Sequence, residues 1–183
     1  MILTKTPICN FGEKVKDFSL PSTNNEVVKF SDIKGENGTL IMFICNHCPY
    51  VLAIIDDLII TIEKLKKFKI GCVAIMPNDV TKYPEDNFEK MKELASKKRF
   101  SFPYLLDESQ DTAKIFKAVC TPDFFGYNKS DKLQYRGRYK KLVDLKFTDS
   151  DKNELFESMI MISKTGNGPK TQYPSMGCSI KWK

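Results

Sequence analysis

Cys45, Asn46, His47, Cys48 and Pro49 form one unbroken run, and His47 is the chain's only histidine. Thiolates and imidazole bind soft metals, and they also carry thiol–disulfide exchange, so two chemistries are open to this run. A structural zinc wants four ligands, usually from two such pairs. The chain has no second Cys-x-x-Cys and no second histidine, which argues against zinc and against copper delivery through a distal histidine. No metal and no other cofactor is therefore expected. Redox chemistry needs only what is present. If Cys45 opens a helix, Cys48 lies one turn further along the same face, and the sulfurs come within reach of a disulfide. Unpaired N–H groups and the helix dipole then favour a Cys45 thiolate, and a partly protonated His47 favours it further. Pro49 falls in the first turn, where its missing N–H costs least. On this reading Cys45 attacks, Cys48 resolves, His47 tunes the attack, and Asn46 and Pro49 flank the bound substrate. A stabilised thiolate favours the reduced form, so each pKa unit makes the couple roughly 30 mV more oxidising.

The elements around this run must place it where a strand gives way to a helix. The apolar stretch Thr39–Cys45 suits a central strand buried on both faces. From Pro49 to about Phe68 the apolar residues Val51, Ile54, Ile55, Leu58, Ile62 and Leu65 recur every three or four positions, which predicts a helix. IGCVAIMP (70–77) reads as a second buried strand, completing a β-α-β unit with parallel strands. Upstream, DFSL and VVKF read as short strands around the polar turn PSTNNE. Downstream, residues 85–98 form a Lys/Glu-rich helix, FPYLLD (102–107) a short apolar segment, and SQDTAKIFKAV a helix capped by Ser109. TPDFFGYN reads as a turn and KLQYRGRY (132–139) as a strand. TDSDKNELFESMIMISKTGNG reads as a last helix with acidic caps at its start and Gly166 at its end. The order β-β-β-α-β-α-β-α-β-α predicts an α/β domain, a central mixed sheet flanked by helices, with an N-terminal β-hairpin extension. One domain over 1–183 is expected, with irregular tails at 1–12 and 167–183.

Bulk composition narrows the function classes. Hydrophobic residues make up 42% and charged residues 28% of the 183, as in ordinary globular domains. No stretch approaches the ~20 apolar residues a membrane-spanning helix needs, so no membrane association is expected. Lys5, Pro7 and Cys9 interrupt what would be a signal-peptide core, which points to the cytoplasm and to reduced thiols. The net charge of +6 comes from lysines at helix ends, the arginines being Arg99, Arg136 and Arg138. No aromatic-basic nucleic-acid motif accompanies them, so nucleic acid is not an expected partner. A monomer or weak dimer is expected.

Three separated motifs, FICNHCPYV (43–51), VCTPDFFGYN (119–128) and PSMGCSIKWK (174–183), resemble the thioredoxin-like, redoxin-type proteins of the alkyl hydroperoxide reductase/thiol-specific antioxidant superfamily. YRGR (135–138) is similar too, although the residues that follow are basic where relatives tend to be acidic. The resemblance runs from about Phe18 to Trp182. It implies a thioredoxin-like fold, a disulfide-active Cys45/Cys48 pair, and Pro122 as a cis-proline facing the disulfide. It also implies that the backbone of Thr121, next to Cys120, pairs with a substrate segment in a short β-contact. From the residues alone, Thr121-Pro122 reads equally well as an ordinary trans turn.

The function expected is therefore thiol–disulfide exchange on a protein or small-molecule disulfide, with electrons from a separate reductant. Thiol-dependent peroxidase chemistry is the alternative within the superfamily. A peroxidatic cysteine is usually framed by a threonine three residues before it and a proline four before that. Counting back from Cys48 gives Cys45 and Ile41, and from Cys45 gives Met42 and Gly38, so the frame is absent. A thiol sensor or metal-handling protein is the alternative from another class. Cys9 and Cys72 are assigned to packing, Cys9 within a mobile tail; Cys120 is read as a small packing residue, no role is assigned to Cys178, and a second disulfide between Cys120 and Cys178, or a relay to the active pair, is the alternative. Arg136 and Arg138 are read as solvent-facing strand residues. No carboxylate in strand 39–45 can take the proton from Cys48, which leaves Glu26 or water.

Overall fold

The computed structural model describes residues 2–148 and 150–183; Met1, in the first tail, and Asp149, in the acidic stretch before the last helix, lie outside them. Strands β1 (Leu3–Lys5), β2 (Ser19–Pro21) and β3 (Val27–Lys29) precede a one-turn helix α1 (Phe30–Ile33) and strand β4 (Thr39–Phe43). Helices α2 (Pro49–Leu52) and α3 (Ile55–Lys66), strand β5 (Gly71–Met76), helix α4 (Phe88–Lys97), strand β6 (Tyr104–Leu106) and helix α5 (Asp111–Ile115) follow. The chain closes with β7 (Cys120–Thr121), β8 (Asp123–Tyr127), β9 (Leu133–Tyr135), α6 (Glu154–Thr165) and β10 (Met176–Ser179).

The main sheet has the order β6-β5-β4-β8-β9. β4 runs parallel to β5, and β5 to β6, while β8 pairs antiparallel with both β4 and β9, so the sheet is mixed. β4 lies at its centre because both faces of the strand are apolar. Leu40 and Met42 pack with Leu58, Ile62 and Met159 of the helices on one face, while Ile41 and Phe43 pack with Val73, Phe116 and Phe125 on the other. A strand covered on both sides loses the polar alternation of a surface strand. The hairpin β2–β3 precedes the sheet in register Leu20↔Val28. The expected α/β fold, a mixed sheet flanked by helices with an N-terminal hairpin, is the one observed. Among the described residues no helix is long and apolar enough to cross a membrane.

Several local expectations change. The tails are not irregular throughout: β1 pairs with β10 (Leu3↔Cys178, Lys5↔Met176), and β10 pairs in turn with β7 (Cys178↔Thr121). Strands this short carry no readable alternation, and their pairing spans almost the whole chain, so no local pattern announces it. TPDFFGYN is no turn but mostly β8, beside β4. Its Pro and Gly signal a turn, but Phe124 and Phe125 bury in opposite faces of the sheet. The helix expected from Pro49 to Phe68 breaks after Leu52 and resumes at Ile55. The cap of α5 is Gln110 rather than Ser109, and the cap of α6 is Asn153, whose side chain accepts from Phe156 N–H. Gly166 ends α6 in the left-handed conformation, as its position predicts.

Candidate active site

Parallel strands deliver their following loops to one edge of a sheet, where α/β proteins place their chemistry. At the end of β4 the ladder continues one residue further (Ile44 N–H to Ile75 C=O, 3.0 Å), and Cys45 follows. Helix α2 starts at Pro49 and its N-cap is Cys48, so Cys48, not Cys45, occupies the helix terminus. The reason lies in Asn46, whose N–H is taken by Asp86 Oδ1 at 2.8 Å, holding residues 45–47 outside the helix. Across from them, Thr121-Pro122 is a cis peptide, as the resemblance implies. Thr121 Oγ1 lies 3.2 Å from Cys45 Sγ, and the Thr121 carbonyl accepts from Cys48 Sγ at 3.0 Å. The structure thus brings Cys45, Cys48, Thr121 and Pro122 together. It adds Cys178, whose Sγ is 2.9 Å from that of Cys48. Cys45 and Cys48 are wholly buried and Cys178 is 2% exposed.

The two thiols are pushed in opposite directions. Cys48 is lowered to about 5, first by the Cys45 thiol donating to its sulfur, then, against the cost of burial, by the Cys178 thiol and by the Cys178 and Val51 backbone. Cys45 is pushed well up, by that same shared hydrogen bond, by burial, and by the Asp86 carboxylate. The Thr121 carbonyl beside Cys48 can only accept and so opposes the anion. It is outweighed by donors from three directions. Hydrogen bonding and burial thus push the two thiols apart, Cys48 down and Cys45 up.

Asp86 is the functional residue that local sequence reasoning misses. It is wholly buried in the loop after β5, and besides Asn46 it accepts from Asn78 Nδ2 at 2.7 Å. His47 Nδ1 lies 2.8 Å from its Oδ2 without the alignment of a hydrogen bond, and the imidazole stacks on Tyr83 with centroids 5.9 Å apart. His47 thus faces Asp86, and any effect it has on Cys45 passes in part through that carboxylate. The signal was positional: the loops after β4 and β5 leave the same edge of the sheet, so polar residues in the second belong with cysteines in the first. Glu26, by contrast, is exposed on the β2–β3 turn.

The remaining candidates divide. Asn46 is committed internally, donating to the Glu85 carbonyl at 3.0 Å and accepting from Tyr104 OH at 2.9 Å. Pro49 is half-buried at the first position of α2. Cys120 is wholly buried and its thiol is pushed up by burial; its Sγ lies 3.6 Å from the Pro122 carbonyl. The Thr121 backbone edge implied as a substrate contact is already filled by β10. Arg136 does not face solvent: it is 6% exposed and pairs with Asp123 at 2.8 Å. Arg138 pairs with Glu154 at 2.6 Å. Cys9 packs in the core rather than in a loose tail, and burial pushes its thiol up to about 11 and that of Cys72 to about 12.

Among the described residues, ligand atoms of Cys45, His47 and Asp86 all lie within 4.8 Å of one another, so these three could hold a metal. They make a set of three where a closed structural zinc site takes four, and both Asp86 oxygens already accept from amides.

The AhpC/TSA family profile matches residues 11–139. No curated protein matches the chain. An uncharacterized conserved protein from Geobacillus kaustophilus is 35% identical, with a TM-score of 0.89, over 100% of this chain and 97% of the other. A hypothetical protein from Sinorhizobium meliloti is 30% identical, with a TM-score of 0.91, over 98% of each chain. A putative thiol:disulfide interchange protein DsbE from Chlorobium tepidum shares the fold at 18% identity and a TM-score of 0.64, over 85% of this chain and 99% of the other.

Proposed function

The chain belongs to the AhpC/TSA family, and from that premise we propose that it is a thiol–disulfide oxidoreductase whose Cys45 and Cys48 cycle between dithiol and disulfide. The observation that carries the reading is the convergence of the two sulfurs on Thr121 beside cis-Pro122, Cys45 Sγ 3.2 Å from its Oγ1 and Cys48 Sγ 3.0 Å from its carbonyl. The roles then exchange relative to the sequence expectation. Cys48 thiolate attacks one sulfur of a protein or small-molecule disulfide and expels the other as a thiolate. Cys45 then loses its proton toward the Asp86–His47 pair and attacks Cys48 Sγ, releasing the second substrate thiol and closing the Cys45–Cys48 disulfide. A separate thiol reductant reopens it.

The test is insulin-disulfide reduction and peroxide turnover on wild type, Cys45→Ser and Cys48→Ser. Both variants are expected to lose disulfide turnover, with Cys45→Ser still reacting with the substrate disulfide at Cys48. A mixed disulfide trapped on Cys45 in Cys48→Ser would return the attack to Cys45. Rapid peroxide turnover that survives Cys45→Ser would make the protein a peroxidase. Stoichiometric zinc or copper in the purified protein would make it a metal-handling one.

A further inference from the structure

The edge of β7 next to a cis-proline is where the resemblance seats a substrate strand, and here that edge is not open. β10 lies along it antiparallel, with Cys178 opposite Thr121 and Ser179 opposite Cys120. The seating is too close for a side chain at the residue before the cysteine: a Cβ on Gly177 would stand 2.0 Å from the Thr121 carbonyl oxygen and 3.0 Å from Pro122 Cδ. The strand is fastened at both ends. Ser175 Oγ donates to the Pro122 carbonyl at 2.8 Å. Lys181 N–H donates to Asn78 Oδ1 at 2.9 Å, and that same Asn78 holds Asp86. So placed, β10 sets Cys178 Sγ 2.9 Å from Cys48 Sγ.

We propose that β10 is a tethered substrate strand, and that Cys178 is a third redox thiol that takes over the disulfide from the Cys45/Cys48 pair. This rests on the oxidoreductase reading above. The step is an exchange without net oxidation. Cys178 gives up its proton and its sulfur attacks Cys48 Sγ; the Cys48–Cys178 bond forms and the Cys45–Cys48 bond breaks. The electron pair leaves on Cys45, which takes up one proton. The oxidising equivalents are those already delivered by the substrate disulfide, so no further oxidant is needed. Cys45 returns as a thiol while the disulfide is held under the strand. The register argues against the Cys120–Cys178 bridge, because it sets Ser179 rather than Cys178 opposite Cys120.

The full-length protein, oxidised with glutathione disulfide, acid-quenched, alkylated and mapped by mass spectrometry, tests this. Wild type is expected to give both Cys45–Cys48 and Cys48–Cys178. Cys45→Ser is expected to give Cys48–Cys178, and Cys178→Ser only Cys45–Cys48. Gly177→Ala, which pushes the strand off the Thr121 carbonyl, is expected to cut the Cys48–Cys178 yield roughly tenfold and leave Cys45–Cys48 in place. If wild type gives Cys45–Cys48 but neither wild type nor Cys45→Ser gives Cys48–Cys178, the relay is wrong and the oxidoreductase reading stands. A Cys120–Cys178 bridge in its place also overturns the relay. If no disulfide forms among these residues, both readings fall.

Discussion

Asp86 and Asp123 are both wholly buried carboxylates, and each presses on a cysteine, Asp86 on Cys45 and Asp123 on Cys120. They differ in what faces them. Asp123 takes two contacts from the Arg136 guanidinium, at 3.3 and 2.8 Å, and Arg136 in turn stacks on Phe125 and donates to the Lys117 carbonyl. A fixed cation that never deprotonates makes this a permanent internal pair, joining β8 to the end of β9. Asp86 is held instead by two neutral amides, with the His47 imidazole 2.8 Å away. Its charge is solvated by the protein without being cancelled, so it stays available to act on Cys45. The lesson is that burial of a charge does not mark a working site; the kind of partner that balances it does.

The comparison can be broken most directly by removing the thiols. Cys48→Ser and Cys45→Ser are each expected to bring insulin-disulfide reduction down to the uncatalysed rate, whereas Cys120→Ser, on the Asp123 side, is expected to keep turnover. Loss of turnover in Cys120→Ser would mean the two carboxylate regions are not distinct. Next in size is Arg136→Met, which leaves Asp123 buried and unpaired. It is expected to cost about 3–5 kcal/mol in denaturant unfolding with the thiol titration unmoved. Asp86→Asn keeps the shape and removes the charge. It is expected to cost less, about 1–3 kcal/mol, but to move the Cys45 titration downward, because the Asp86 carboxylate is one of the groups that push it up. A variant that lost stability and left both thiol titrations in place would reduce Asp86 to a second Asp123.

The smallest effect is a pH profile. With Cys48 lowered to about 5, thiolate absorbance in the reduced protein is expected to fall as pH drops through about that value, and to lose this step in Cys48→Ser. Above it the anion stabilises the reduced form, so the sign is toward a more oxidising couple. A single step near ~8.5, the value of an ordinary thiol, would contradict the charge assignment.

How much of this was legible in sequence follows the range of each interaction. The β4 strand announces itself through seven contiguous residues, Thr39–Cys45, and the Cys45/Cys48 spacing through local helix geometry. The helix starts at Pro49 as its periodicity predicts, but Cys45 does not open it, because Asn46 is held out of the helix by Asp86, forty positions away. Arg136 was misread as exposed because its partner lies on a neighbouring strand, and a short strand gives no sign of which face it buries. β10 was read as part of an irregular tail because its pairing with β1 and β7 is wholly nonlocal. Its glycine acquires meaning only against the Thr121 carbonyl.

The central claim is that Cys45 and Cys48 form a reversible redox couple biased toward the reduced state by the Cys48 thiolate. Its most direct test is the reduction potential of that pair, measured at pH 7 by equilibration in glutathione buffers and alkylation mapping. The account predicts one two-electron couple, on the order of 60 mV more oxidising than thioredoxin's approximately −270 mV, since a thiolate of pKa near 5 favours reduction about 100-fold at that pH. A pair that never oxidises across the buffer range, or one at or below thioredoxin's potential, would contradict it.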